Sequence, residues 1–242
     1  MSLPVFLHPE LGGATVGARL SLVGDEGRHA AVVRRIRPDE VIELVDGAGI
    51  RVTCVVEEAT KISLGVRALE VTFESRRSPQ ITVVQAIPKG ERAELAVEVL
   101  TEIGVDTIVP WAASRSVGIW RGERAAKSLG KWRSTAREAA KQSRRAWFPE
   151  VTEMATTADV VALLAKADRG LILHEEASLP ITPIDGVQSV VLVVGPEGGI
   201  APEELDAFAA AQAVRLGPTV LRTSTAGVAA VAALLSGTPR WN

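Results

Sequence analysis

VVLVVGPEGGIAPEELDAFAAAQAVRLGPTVLRTSTAG, residues 190–227, decides the fold class of this 242-residue chain. Val190 to Val194 make a β-branched run of about one buried strand's length, and Gly195, Pro196, Glu197, Gly198 and Gly199 break it. The period then changes from 2 to 3.6. Pro202 suits a first helical turn, and Glu203 and Glu204 stand where a helix N-terminus favours negative charge. A second apolar run ends in LGP at 216–218, and VLRTSTAG follows. Glycines at strand ends let a ligand approach the main chain, whose N–H and C=O groups can read the edge of a base. The order differs from the usual nucleotide folds. No GxGxxG follows a first strand, and the spacing Gly12 to Gly17 leads to Ala18 and Arg19 where a phosphate loop needs Lys and then Ser or Thr.

Working outward, strand-like and helix-like segments alternate from residue 81 onward, which predicts a mainly parallel sheet with helices on both faces. ITVVQAI, DTIVPW, LILH and VVLVV read as strands. Helices are expected at 91–103, 122–146, 157–167, 202–212 and 225–235. In the first of these, Leu95, Val99, Leu100 and Ile103 share a face and Gly104 is the stop. Residues 1–73 differ: short alternating runs flank turns, with the Asp46-Gly47 pair as a hairpin signal between VIELV and IRVTCVVE, and a small barrel or sandwich is expected. The polar segment ESRRSPQ, 74–80, is the expected linker between the two domains.

With 47% hydrophobic residues the chain can bury two modest cores. A single cysteine, Cys54, excludes an internal disulfide and argues against a structural zinc site. It sits in an alternating strand and is expected in the core. With one cysteine a cytoplasmic protein is expected, and MSLPVFLHPELGG, with neither a basic leader nor a long apolar core, does not read as a secretion signal. The apolar run Ala226 to Leu235 is too short to span a bilayer. Net charge is only −2, yet residues 121–145 hold nine basic and two acidic residues, a local +7 that the remainder offsets with −9. Read as one helix, 131–147 divides into a face of Trp132, Ala136, Ala139, Ser143 and Trp147 and a stripe of Arg133, Arg137, Lys141 and Arg145. That stripe is expected to meet phosphates.

GPEGG paired with LGPTVLRTSTA resembles the SPOUT superfamily of knotted methyltransferases. VVQAIPKGERAELAVEVLTEIGVDTIVPWAASRSV (83–117) and KWRSTAREAAKQSRRAWFPEV (131–151) are similar to further blocks of its RsmE-type subfamily, collinear over nearly the whole chain. Two positions depart from that pattern: Ser224 stands where the subfamily usually has Glu, and Pro4, Val5 and Phe6 stand where it usually has Arg near an aromatic. The resemblance implies a PUA-like N-terminal RNA-binding domain and a SPOUT domain with a C-terminal trefoil knot. It also implies S-adenosyl-L-methionine as cofactor and N3 of one uridine of 16S rRNA, m3U1498, in the small ribosomal subunit as target. A homodimer without membrane or metal is implied too, paired through knot-proximal helices. The helix at 225–235, with small apolar residues all round, fits that pairing.

By that resemblance the cofactor contacts are Leu173, His174, Gly195, Pro196, Glu197, Gly198, Gly199, Leu216, Gly217, Leu221, Arg222, Thr223, Ser224 and Thr225. Glu138, Gln142 and Arg145 match an EAxxQxxR pattern and become the catalytic candidates. Lys89, Arg115, Arg133, Arg137, Lys141 and Arg144 are the RNA-binding candidates, the first two just beyond predicted strand ends, where open α/β sheets host ligands. Methylating a uracil carbon needs a covalent nucleophile, and no activated Cys-His pair can be assembled from this sequence. Methylating the ring nitrogen needs only loss of the imide proton as it attacks, so placement and electrostatics suffice. Two alternatives remain at this point: a ribose 2′-O methylase of the same superfamily, which typically carries an SLNVS-like block where this chain has LRTSTA, and a non-catalytic RNA-binding assembly factor.

Overall fold

A computed structural model describes residues 3–118 and 120–241. They form two compact units: the chain up to Arg76 together with Ala140–Phe148, and Arg77–Ala139 together with the chain from Pro149 onward.

The first unit is a curled mixed sheet, a half-barrel of PUA-like form. Its strands are β1 (Val5–Leu7), β2 (Arg19–Leu22), β3 (Val41–Val45), β4 (Ile50–Ala59) and β5 (Leu64–Phe73), in the spatial order β1-β3-β4-β5-β2. β1 joins β3 in parallel, and the other pairs are antiparallel. The Asp-Gly signal holds. Asp46 Oδ1 accepts from the Ala48 and Ile50 amides at 2.7 and 2.9 Å and closes the turn, and Gly47 and Gly49 take positive φ. Alternation puts Ile42, Leu44, Val52, Cys54, Val56, Leu64 and Val66 into one core with Phe6 and Leu11. Cys54 is fully buried there, and burial pushes its thiol up to about 11. A short α1 (Gly24–Arg28) runs directly into a π-helical turn, His29–Val33.

The second unit is built on six parallel strands. β6 (Gln80–Ala86), β7 (Thr107–Trp111), β8 (Glu150–Val151), β9 (Arg169–Leu173), β10 (Ser189–Val194) and β11 (Gln212–Val214) lie in the order β11-β9-β10-β6-β7-β8. The chain proceeds from β6 outward through β7 to β8 and then supplies β9 and β10 on the other side of β6. The strand order therefore reverses between β6 and β10, the kind of point where open parallel sheets place ligands beyond their carboxyl ends.

Helices α2 (Arg92–Glu102), α3 (Glu123–Gln142) and α6 (Thr223–Leu235) supply the core on one face of this sheet, through Val97, Leu100, Trp132, Ala136, Ala230 and Leu234. α4 (Thr157–Leu164) and α5 (Pro202–Ala207) belong to the other, where Trp111 meets Phe208 edge to face at 5.4 Å. α4 starts at a capping box in which Thr156 and Asp159 bond each other's amides.

Three local expectations change. The buried side of α2 is Ala93, Ala96, Val97, Leu100 and Thr101, and Leu95 is exposed: the contact stripe runs through small residues to Leu100 and leaves Leu95 off it. α5 stops at Ala207, because Gln212–Val214 pairs with β9 as an edge strand. α3 stops at Gln142 rather than near 147. Arg144 takes a left-handed φ of 56°, its amide donates to Lys141 O at 3.1 Å, and the Arg145 amide donates to Ala140 O at 2.9 Å. This is a Schellman closure with arginine in the position that glycine usually fills.

Candidate functional site

The loops after β9, β10 and β11 meet in one cavity of about 770 Å³ at the carboxyl ends of those strands. Its walls include Leu173 and His174 from the end of β9, Gly195 to Ile200 after β10, Val214 at the end of β11, Arg215 to Arg222 after it and Thr223 at the start of α6, with Arg92 from the start of α2 and Arg115 from the 113–117 loop. The expected cofactor residues Leu173, His174, Gly195, Pro196, Glu197, Gly198, Gly199, Leu216, Gly217, Leu221, Arg222 and Thr223 all line it. Ser224 and Thr225 do not; they are the next residues along α6, and Ser224 is buried.

The glycines have distinct reasons. A Cβ on Gly195 would lie 2.6 Å from Ile200 Cγ1, so a side chain there collides with the loop's own return. One on Gly198 would lie 3.1 Å from Arg115 O, so this residue lets the 113–117 loop close on the glycine loop. Gly199 has φ +74°, a left-handed backbone that suits glycine. Around them, Arg115 Nη1 donates to Gly198 O at 3.5 Å and the Lys89 amide donates to Glu197 Oε1 at 3.3 Å. Lys89 and Arg115, expected beyond strand ends, thus stand against the cavity's glycine loop.

Two supporting residues escaped the sequence reading. Glu204, assigned only to the helix dipole, is buried, and its carboxylate accepts from the Ala201 amide at 3.1 Å, the Ser114 amide at 2.8 Å and Thr157 Oγ1 at 3.3 Å. It binds the start of α5 to the 113–117 loop and to α4. Gln85, buried at the end of β6, donates from Nε2 to Ala86 O at 2.9 Å and to Thr223 O at 3.3 Å, holding the cavity-lining turn into α6. A polar residue inside an apolar strand was the available signal. Among the described residues, Gln85 Oε1 and Ser224 Oγ are buried without a partner.

The cavity carries both charges, Arg92, Arg115, Arg215 and Arg222 against Glu175, Glu176 and Glu197. His174 receives the Glu176 amide at Nδ1 at 3.3 Å and donates its own amide to Val214 O at 3.0 Å, as a strand-end residue does. Glu138, Gln142 and Arg145 are not among the lining residues.

The basic stripe expected on one helix is broken up. Arg133 and Arg137 lie on α3, where Arg133 donates to Val151 O at 3.0 Å and to Glu153 at 2.9 Å, while Arg137 lies 3.6 Å from Glu138. Lys141, expected as a phosphate contact, is buried, with Nζ 2.6 Å from Glu26 Oε1. Arg144 and Arg145 lie past the helix end; Arg144 is exposed, and Arg145 Nε donates to Trp147 O at 2.8 Å. Arg145 therefore does not continue the i+4 row.

Residues 76–235 match a family model described as an RNA methyltransferase domain, and residues 22–69 match an RNA methyltransferase PUA domain. A ribosomal RNA small subunit methyltransferase E from Mycobacterium bovis is 49% identical over 93% of this chain and 89% of that protein. A Legionella pneumophila structure with bound SAM superposes with a TM-score of 0.86 at 31% identity, over 98% of both chains. A Neisseria gonorrhoeae ribosomal RNA small subunit methyltransferase E bound to S-adenosyl methionine gives 0.85 at 30% identity, over 97% of this chain and 98% of that one. Agreement in both units and along nearly the full length places the chain in the RNA methyltransferase family, among the small subunit methyltransferase E proteins.

Proposed function

We propose that this chain is an S-adenosyl-L-methionine-dependent methyltransferase that methylates N3 of a specific uridine of 16S ribosomal RNA in the small subunit, as a cytoplasmic homodimer. The observation that carries the reading is that the 195–199 and 216–223 loops, separated by α5 and β11, line one cavity at the carboxyl ends of β9, β10 and β11. Its residues fit the cofactor. The volume of about 770 Å³ suits a ligand of that size. Leu173, Leu216 and Ile200 offer apolar walls to a base, the glycine loop offers main chain, and arginines and glutamates share the rim as a zwitterionic ligand requires.

When bound, S-adenosyl-L-methionine supplies a methyl group on a positive sulfur. The protein then has to orient the uracil, exclude water and accept or release the imide proton. Arg145 is the proposed donor to the uracil carbonyls, where negative charge develops, with Gln142 orienting the base and Glu138 as a candidate proton acceptor. The chain's one cysteine is buried in the core of the first unit with its thiol pushed up to about 11, which favours nitrogen methylation over a cysteine-dependent carbon attack. The reading extends to a trefoil knot in the second domain and to pairing through α6, whose Val228, Ala229 and Ala232 are only half-buried in one protomer.

The test is incubation of the protein and cofactor with small subunits from a strain lacking this methylation, followed by mass mapping of the RNA. A methyl group on the base of one uridine is expected; one on a ribose, or none, overturns the reading. In parallel, Gly198→Val, whose side chain pushes on Arg115, is expected to weaken S-adenosyl-L-methionine binding by at least about tenfold in calorimetry. Unchanged affinity in the folded variant removes the cofactor from this cavity.

A further inference from the structure

We propose that the turn at residues 28–37 is a phosphate-gripping surface for the RNA substrate. The proposal rests on the reading of ribosomal RNA as substrate and assigns it a contact surface on the first unit. RHAAVVRRIR holds four arginines and no acid, a local +4 in a chain of net charge −2. A protein of that overall charge needs localised cations that its own carboxylates do not pair with to hold a polyanion.

Among the described residues, the structure leaves these four cations without an ion pair, with Asp25, Asp39 and Glu40 exposed on either side of the segment. The π-helical winding of His29–Val33 is rare in proteins and concentrates at functional sites. It is closed by the Arg34 amide to His29 O at 2.9 Å and the Ile36 amide to Ala30 O at 3.1 Å. Gly27, Ala30 and Ile36 turn inward and are buried, and a Cβ on Gly27 would lie 2.7 Å from Ile62 O, so the segment is pressed onto the turn between β4 and β5. Arg28, Val32, Val33, Arg34, Arg35 and Arg37 are left exposed.

Arg35 is held at φ 55°, a left-handed backbone that costs a side chain about 1–2 kcal/mol and so calls for a reason. Among the described residues no carboxylate pairs with any of the four guanidinium groups. Other arginines of the same unit do find carboxylates: Arg19 and Arg67 share Glu57, and Arg51 bridges Glu43 and Glu74. Planar guanidinium groups with free donors match phosphate oxygens in bidentate geometry. Val32 and Val33 are 51% and 69% exposed between them, a feature that a merely solvated charged face does not need.

The test uses the full chain carrying R28A, R34A and R37A together, leaving Arg35 and its backbone intact. Binding to small ribosomal subunits lacking the methyl group is followed by filter retention across about 50–200 mM salt. The triple variant is expected to lose affinity at least about tenfold, and its log–log salt slope to flatten by about 2 to 3 as three phosphate contacts disappear. Cofactor affinity and the thermal midpoint should match the wild type. R19A with R67A, which removes two arginines already paired with Glu57, should leave the slope unchanged.

A folded triple variant with wild-type affinity and slope overturns the proposal. So does an equal loss of binding to polyglutamate, which makes the turn a general anion patch. Failure of the enzymatic reading is separable. A wild-type protein that binds subunits but transfers no methyl group overturns the activity, while the salt slopes still decide the surface.

Discussion

Two basic segments of this protein carry similar charge and do different work. The 28–37 turn and the second half of α3 with its exit are both rich in arginine, and both contain an arginine in left-handed conformation, Arg35 at φ 55° and Arg144 at 56°. They differ in what the cations meet. Along α3, Lys131 pairs with Glu94 at 2.9 Å, Arg133 with Glu153 at 2.9 Å and Lys141 with Glu26 at 2.6 Å. On the turn, among the described residues, the guanidinium groups pair with no carboxylate. The lesson is that local net charge counts cations, whereas availability to a phosphate depends on which carboxylates folding delivers from elsewhere in the chain.

Lys141 breaks the comparison most sharply if it is misassigned. Its side chain is only 6% exposed and Glu26 only 19%, so removing the ammonium strands a carboxylate in a poorly solvated place. Lys141→Met is expected to cost about 3–5 kcal/mol of stability, read as a lower denaturant midpoint, with little change in RNA affinity while the protein stays folded. A variant of wild-type stability that loses RNA affinity and salt slope makes Lys141 a phosphate contact, and the two segments alike. Arg145→Ala comes next. On the proposed mechanism it lowers single-turnover methylation by about ten- to a thousand-fold at saturating RNA, with cofactor binding unchanged. Wild-type turnover would reduce Arg145 to the structural bond with Trp147 O.

The cavity was legible because its requirements are written in residue types. Gly195, Gly198 and Gly199 answer to a close return, a close neighbour and a positive φ, and β-branched residues mark the strands that lead to them. What stayed hidden depends on pairs far apart in the chain. Glu204 looks like an ordinary acid in a first helical turn, yet it accepts from Ser114, 90 positions away, and Lys141 looks like an exposed helix cation until Glu26 arrives from 115 positions away. The end of α3 was missed for a local reason. Arg144 closes it where glycine or asparagine would have announced the stop. The arginines at 28–37 stand in the same sequence as the longer +7 stretch at 121–145, and sequence does not show which of these cations are already neutralised.

The smallest expected effect sharpens the comparison at the other end. Arg133 and Glu153 are exposed, with side chains 49% and 80% accessible, so their ion pair is screened by solvent and salt. Arg133 Nε also donates to Val151 O, which fastens α3 to β8. Arg133→Ala is therefore expected to cost at most about 1 kcal/mol and to leave the RNA salt slope within error of the wild type. Glu153→Gln separates the two contributions: it removes the pairing carboxylate's charge but keeps the Val151 bond, so it should be nearly silent in stability. It also frees a cation. If Arg133 is withheld from RNA only by its partner, Glu153→Gln should steepen the salt slope by up to about 1 and tighten subunit binding. An unchanged slope would mean that position on the surface, and not the carboxylate, keeps Arg133 from phosphate, and the contrast between the two segments would then be one of geometry rather than of pairing.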